Sequence, residues 1–315
     1  MLPLLHDEVC KFAAASILRD LTIMAIIRGT NANDDPLNGS DLSDGMNGFN
    51  GDDRMFGFGG NDNMHGDGGN DKLHGGLGND SLDGGLDGSP LDDKFAADAD
   101  LLDGGEGIDT ATYSQVQHGV TVNLLQGITL GQGNVDTLVS IENVTGTNFN
   151  DSIVGNEGDN GLQGAGGVDF LDGGAGNDSL RGGSGNDTLK GNIGNDLLIG
   201  NTGADKLDGG GGADVFQYFS TAESGVGSLK RDAISDFVHN SDKIDVHSID
   251  AKFGASGNQD FSFIGTQAFS AEGQVRVVTE GDNTLVQINT TGNDGTESEI
   301  QLAGHVTLFA ADFVL

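Results

Sequence analysis

Residues 146–217 read GTNFNDSIV, GNEGDNGLQ, GAGGVDFLD, GGAGNDSLR, GGSGNDTLK, GNIGNDLLI, GNTGADKLD and GGGGADVFQ, eight nine-residue units in one unbroken register. Each unit opens on glycine: Gly146, Gly155, Gly164, Gly173, Gly182, Gly191, Gly200 and Gly209. The sixth positions are Asp151, Asn160, Asp169, Asp178, Asp187, Asp196, Asp205 and Asp214. The eighth are Ile153, Leu162, Leu171, Leu180, Leu189, Leu198, Leu207 and Phe216, all large and apolar. A strict short period of this kind is the signature of a repeat architecture and decides the fold class ahead of any local propensity.

Take the unit Gly173–Arg181. Glycines at positions one, two and four allow positive φ, so a tight turn can aim its carbonyls to one side. The sixth-position carboxylate then sits beside them. A hard cation such as Ca²⁺ takes about six to eight oxygens in flexible geometry, and carbonyls with carboxylates supply that set. Ser179–Arg181 follows as a short strand whose one inward side chain is Leu180. A single such strand cannot bury its apolar face. Two units form one coil with a strand on each side, and equivalent turns eighteen residues apart stack at about 4.8 Å. An ion fits between stacked turns, so unit n shares it with unit n+2. Eight units then give roughly six sites at most.

GGAGNDSLR, GGSGNDTLK and GNIGNDLLI resemble the glycine- and aspartate-rich repeats of the RTX family. That resemblance implies an all-β fold, a right-handed parallel β-roll with calcium in its turns, here followed by a C-terminal β-rich cap.

Outward from this array, the chain divides into five parts. Residues 1–23 are an N-terminal extension with loosely helical apolar spacing. His6, Asp7 and Glu8 stand where a signal peptide needs a cationic start, which excludes that reading. The extension is a short amphipathic cap or lies upstream of a natural start at Met24; an intact residue 1 in the native protein's mass spectrum would exclude the second. Residues 24–83 hold a rougher block. Its sixth positions are Asp35, Asp44, Asp53, Asp62, Asp71 and Asp80, and its eighth are Leu37, Met46, Met55, Met64, Leu73 and Leu82. Only the last four units keep a fourth-position glycine, so the first two are expected to bind weakly. Residues 84–145 are a loop, Ser89–Ala97 with Pro90 as breaker, and then a β spacer. The count resumes at Asp100 and Asp109, and Val120–Leu124 and Asp136–Val144 read as longer strands. Residues 146–217 are the second block. Residues 218–315 lose the nonapeptide, and Gln274–Thr279 with Thr284–Asn289 read as a hairpin around Glu280 to Asn283.

Arg231 to Phe237 and Asp242 to Val246 resemble the C-terminal domain of the serralysin group of secreted metalloproteases. Ala311-Asp312-Phe313-Val314-Leu315 resembles that group's type I secretion signal, an acidic residue followed by an apolar end. The resemblance implies a type I secretion transporter as partner and an extracellular location reached without a cleaved signal peptide.

The expected metal ligands are Asp53, Asp62, Asp71, Asp80, Asp109, Asp151, Asp169, Asp178, Asp187, Asp196, Asp205 and Asp214, and the expected cofactor is Ca²⁺, several ions per chain. A formal charge of −35 fits that requirement and excludes a polyanion-binding surface, so nucleic acid is not a partner. Roughly ten bound ions would bring it to about −15. The single cysteine, Cys10, permits no internal disulfide. No run of eighteen apolar residues marks a membrane span.

No catalytic residue is expected. The zinc-protease motif His-Glu-x-x-His is missing among the seven histidines, and no Gly-x-Ser-x-Gly elbow occurs. His65 and His74 are nine apart, which places them on opposite sheets of a roll. The reading is a secreted, non-catalytic calcium-binding protein that folds on calcium outside the cell. The alternatives are the export and folding module of a secreted hydrolase such as a serralysin-type protease, or a protein that contacts a cell surface, glycan or membrane.

Overall fold

A computed structural model of the protein describes residues 25–85, 99–130, 135–252, 257–292 and 295–315. The N-terminal extension with Cys10 and the loop Ser89–Ala97 lie outside the described residues. The described chain winds back and forth between two sheets, one of twelve strands and one of sixteen. Every pairing in the twelve-stranded sheet is parallel, from Ile26–Arg28 at one edge to Phe313–Val314 at the other. Within the second block the pairing step is eighteen residues: Leu162 faces Leu180 and then Leu198, while Leu171 faces Leu189 and then Leu207. This is a parallel β-roll, all-β, with two units per coil.

The eighth-position side chains fill the space between the sheets. Met46, Met55, Met64, Leu73, Leu82, Leu162, Leu171, Leu180 and Phe216 are all buried. Each contributes about 1.5–3 kcal/mol of burial, which no single strand could secure alone. The strands of the second block from Gly161–Gly166 to Lys206–Gly211 are six residues long, not three. Ser179–Ser184 and its neighbours run on into the following unit, with the ladder interrupted at the first glycine: Arg181 pairs Ile199, and Gly183 pairs Asn201.

Three parts of the sequence reading change here. The first block does not stop at 83. Lys72 to Leu77 pairs in register with Leu101 to Glu106, and Ser81 and Leu82 with Thr110 and Ala111, so the described strands of the roll continue to Thr112. Residues 136–144 are two strands, Thr137–Val139 in the sixteen-stranded sheet and Asn143–Thr145 in the twelve-stranded one. A coil has to cross between sheets, and it does so at Ser140 (φ 49°), with Ile141 buried in the core. The extra residues of the spacer form an antiparallel pair, Thr121–Asn123 with Ile128–Leu130, inserted into the sixteen-stranded sheet. The third change is at the start of the array. The sixth-position role there belongs to Asp34, whose amide donates to Asp53 Oδ1 at 2.7 Å, and not to Asp35, which is largely exposed beside Arg54. One extra residue before Pro36 shifts the register.

Beyond Gln217 the roll is finished by an antiparallel meander. Gln274–Glu280 pairs Asn283–Asn289, which pairs Ser298–Leu302, and the last of these lies parallel to Asp232–Ile234 of the roll. Buried Arg231 fastens the two parts through Glu299 (3.1 Å) and Glu280. No helix among the described residues is long and apolar enough to cross a membrane.

Candidate metal centres

Each sixth-position carboxylate does two separate things with its two oxygens. Oδ1 accepts the backbone N–H of the sixth residue one coil earlier. Asp169 donates to Asp187 (2.9 Å), Asp187 to Asp205 (2.8 Å), Asp178 to Asp196 (2.8 Å) and Asp196 to Asp214 (2.9 Å). In the first block Asp53 donates to Asp71, Asp62 to Asp80 and Asp80 to Asp109, at 2.7–2.8 Å. The carboxylates therefore form a ladder along each edge of the roll and replace a hydrogen bond that the turn would otherwise lack.

Oδ2 is the unusual atom. In Asp53, Asp62, Asp80, Asp109, Asp169, Asp178, Asp187, Asp196, Asp205 and Asp214 it is buried and meets no hydrogen-bond donor among the described residues. Buried acceptors are normally paired, so a repeated orphan of this kind marks the place of an ion. The oxygen also lies close against the first glycine of its own unit. A Cβ on the first glycine of the unit would overlap this same oxygen: Gly164 against Asp169, Gly182 against Asp187, Gly191 against Asp196. The first glycine is thus required by the carboxylate's approach and not by its backbone angles, because it has no positive φ. Positive φ belongs to positions two and four, as in Gly174 (101°) and Gly176 (118°). Ala165, Asn192 and Asn201 also adopt it at position two, with φ of 66–78°.

The residues fit a hard cation. Carboxylate oxygens stand in a column with turn carbonyls around them, and oxygen-only shells are what Ca²⁺ takes. No three His, Cys, Asp or Glu side chains converge on one point among the described residues. Backbone carbonyls must therefore complete each shell.

Burial pushes these carboxyls up, and neighbouring carboxylates in the column add to the effect in most of them. Asp169 and Asp205 rise to about 7, and Asp62, Asp109, Asp178 and Asp214 to about 6. In the unfolded chain such groups titrate near 4. Protonated carboxyls thus stabilise the calcium-free roll at low pH, and that contribution is lost as pH rises through 6 to 7. Calcium-free protein should therefore gain sheet signal in circular dichroism between pH 7.5 and pH 5. A flat profile over that range would contradict the burial of these groups.

Among the twelve expected ligands, eleven carry the ladder bond to a sixth-position residue of the preceding coil. Asp151 stands apart. Its Oδ2 accepts the Thr147 amide (2.6 Å), and its Oδ1 accepts Val120 N–H (2.8 Å) and the Thr147 hydroxyl (3.0 Å), so it leaves no orphan oxygen. Sequence reasoning also missed members of the ladder. Asp100 accepts the Asp71 amide, Asp136 that of Asp100, Glu142 that of Asp109, Asp232 that of Asp205 and Asp242 that of Asp214. Asp100 is counted in register in the sequence but is not named among the ligands. Glu142 and Asp232 keep the nine-residue count, nine before Asp151 and twenty-seven after Asp205, but their units lack the fourth-position glycine that marks the repeat. A second ladder was missed entirely: fifth-position asparagines accept the fifth-position amide one coil on, Asn177 from Asn195 (2.9 Å) and Asn195 from Ala213 (2.8 Å).

His65 and His74 lie on different sheets, as the spacing required. Each turns Nδ1 to an aspartate on the next strand, Asp83 and Asp103, at 3.2 Å.

The fold and these turns define a calcium-binding parallel β-roll. The family model for the RTX calcium-binding nonapeptide repeat matches in four copies, at residues 56–88, 96–111, 145–180 and 181–216. The chain belongs to the RTX calcium-binding repeat proteins. Among solved structures it is similar to the AlgE6R3 subunit of the Azotobacter vinelandii mannuronan C5-epimerase, at 30% identity over 53% of this chain and 78% of that one, with a TM-score of 0.33. The AlgE6R2 subunit of the same enzyme matches at 27% identity over 52% and 91%, with a TM-score of 0.31. Extracellular lipase LipA from Serratia marcescens matches at 18% identity over 91% of this chain and 39% of its own, with a TM-score of 0.22. No curated protein matches the chain.

Proposed function

We propose that this is a secreted, non-catalytic protein whose folding is driven by calcium outside the cell. The observation that carries the reading is the column of buried, donor-free Oδ2 atoms in glycine-lined turns. With a net charge of −35 and no cation in those turns, the chain repels itself. Bound Ca²⁺ supplies the missing partner of each oxygen and lowers the net charge together. Millimolar calcium outside the cell fills the turns, and the micromolar range inside leaves them empty. The column geometry suits about six ions, one in each gap between stacked donor-free turns.

The C-terminal segment supports export before folding. Asp312 is fully buried and accepts the amides of Phe309 (2.7 Å) and Asn240 (3.2 Å) and His239 Nδ1 (2.7 Å). Phe313 and Val314 pair with Ile244 and Asp245 as the final strand. A type I transporter that recognises the Asp312 and Phe313 side chains has access to them only in the unfolded chain, because both are buried in the folded one. The interaction reading, contact with a cell surface, glycan or membrane, predicts calcium-dependent retention on cells, glycans or liposomes. Turnover assays on alginate, casein and short-chain esters with calcium-loaded protein should show no activity. Clear turnover of any of them would refute the non-catalytic reading.

A further inference from the structure

We infer that the roll contains two kinds of turn, only one of which takes a cation, and that the residues at positions two and six set the kind. The inference rests on the calcium reading above and sharpens it.

In the first kind, the second-position amide folds back onto the sixth-position side chain of its own turn. Thr30 N–H reaches Asp34 Oδ2 (2.5 Å), Ser40 reaches Asp44 Oδ2 (2.7 Å), and Thr147 reaches Asp151 Oδ2 (2.6 Å). None of these second-position residues has positive φ. Their own side chains extend the same local network: Ser40 Oγ accepts Leu42 N–H (3.2 Å) and Thr147 Oγ1 accepts Phe149 N–H (2.9 Å). The carboxylate is thus neutralised by donors inside the turn, as at a helix N-cap. In the second kind, position two has positive φ, as in Ala165 (78°), Gly183 (116°) and Asn192 (72°). The peptide is turned over, its amide no longer reaches the carboxylate, and Oδ2 of Asp169, Asp187 or Asp196 is left without a donor. Only this kind needs an ion.

Asn160 takes the substitution one step further. Its Oδ1 accepts the Asn156 amide (2.8 Å), so the turn is of the first kind. Its Nδ2 donates to the Glu142 carbonyl in the stacked turn below (2.9 Å). An amide N–H thereby does across the gap between turns what a cation would do, joining an oxygen of one turn to its neighbour. The same side chain cannot do this as aspartate: a carboxylate oxygen facing the Glu142 carbonyl is repelled unless a cation lies between them.

The placement of the two kinds is not scattered. Self-neutralised turns begin the first stack (Thr30, Ser40) and the second (Thr147, Asn156), and donor-free turns follow each pair. The roll is therefore two calcium-dependent stacks, each seated on turns that stay formed without the ion.

The sequence around Asn160 permits a direct test. With aspartate at 160 the unit 155–160 reads GNEGDD, the same pattern at positions one, two, four and six as GNIGND at 191–196, which is donor-free. Calcium stoichiometry of full-length Asn160→Asp, measured by equilibrium dialysis and atomic emission, should rise by about one ion over the natural chain. Asp196→Asn should fall by about two ions while its circular dichroism in millimolar calcium remains that of the roll. An unchanged count in folded Asn160→Asp, or a full count in Asp196→Asn, would overturn the inference. If the natural chain itself held no calcium, the reading beneath it would fail instead.

Discussion

Asp187→Ala should strip two cations from the second stack and unfold it locally at calcium levels that keep the natural chain ordered. Asp187 stands in the middle of its column, between Asp169 and Asp205. Its Oδ1 is the acceptor for the buried Asp169 amide, and an abandoned buried donor costs roughly 1–3 kcal/mol. Its Oδ2 is available to ions in the gaps above and below. Each ion held at a hundredfold excess over its Kd contributes about 2.7 kcal/mol. Losing both together with the amide bond approaches the whole stability of an ordinary domain, about 5–15 kcal/mol. In a stack, however, each coil leans only on its neighbours, so the damage should stay local. Calorimetric titration should show about two fewer ions, and hydrogen exchange should show lost protection centred on residues 169–205. A titration identical to that of the natural chain would remove Asp187 from the ligand set.

The second large effect comes from a single methyl group. Gly191→Ala should abolish calcium binding at its turn, whereas Gly45→Ala should be close to neutral. A Cβ on Gly191 would overlap Asp196 Oδ2 and the Gly209 carbonyl oxygen, one of them the orphan acceptor and the other backbone of the stacked turn. Neither can withdraw without opening the gap in which the ion sits. Gly45 also lies in a strand of the roll, but the nearest atom to its would-be Cβ is the Ala25 carbonyl oxygen at 3.9 Å, ordinary contact. Neither glycine has positive φ, so backbone strain does not separate them. Alanine at 45 should even gain slightly from a less flexible unfolded chain. Comparing calcium affinity and melting temperature of the two variants isolates the steric role of the first glycine. Equal behaviour would mean that glycine is there only for flexibility.

The repeat made most of this molecule legible. Asp178 and Leu180 each follow from one elementary need: an oxygen and an apolar plug. Their recurrence every nine residues gives the two-unit coil and its eighteen-residue pairing. What stayed hidden was geometry that no period encodes. Asp151 has the same place in its unit as Asp187, and only the backbone at Thr147 shows that its carboxylate is already satisfied. Asp34 and Asp35 are both acidic, and a one-residue shift before Pro36 chose between them. Glu142 joined the ladder by reaching the Asp109 amide from a unit, 137–145, that keeps the nine-residue count but has none of its glycines. The first glycine was read as a turn residue free to take positive φ, because composition cannot distinguish a residue that must bend from one that must be small.

The most direct test of the account is the state of the full chain at pH 7.5 with and without calcium. Far-ultraviolet circular dichroism and small-angle scattering should show an expanded chain with little sheet in a chelator, and a compact, sheet-rich particle once millimolar Ca²⁺ is restored. A particle equally compact and sheet-rich in the chelator would contradict the claim that cations between stacked turns hold this acidic roll together.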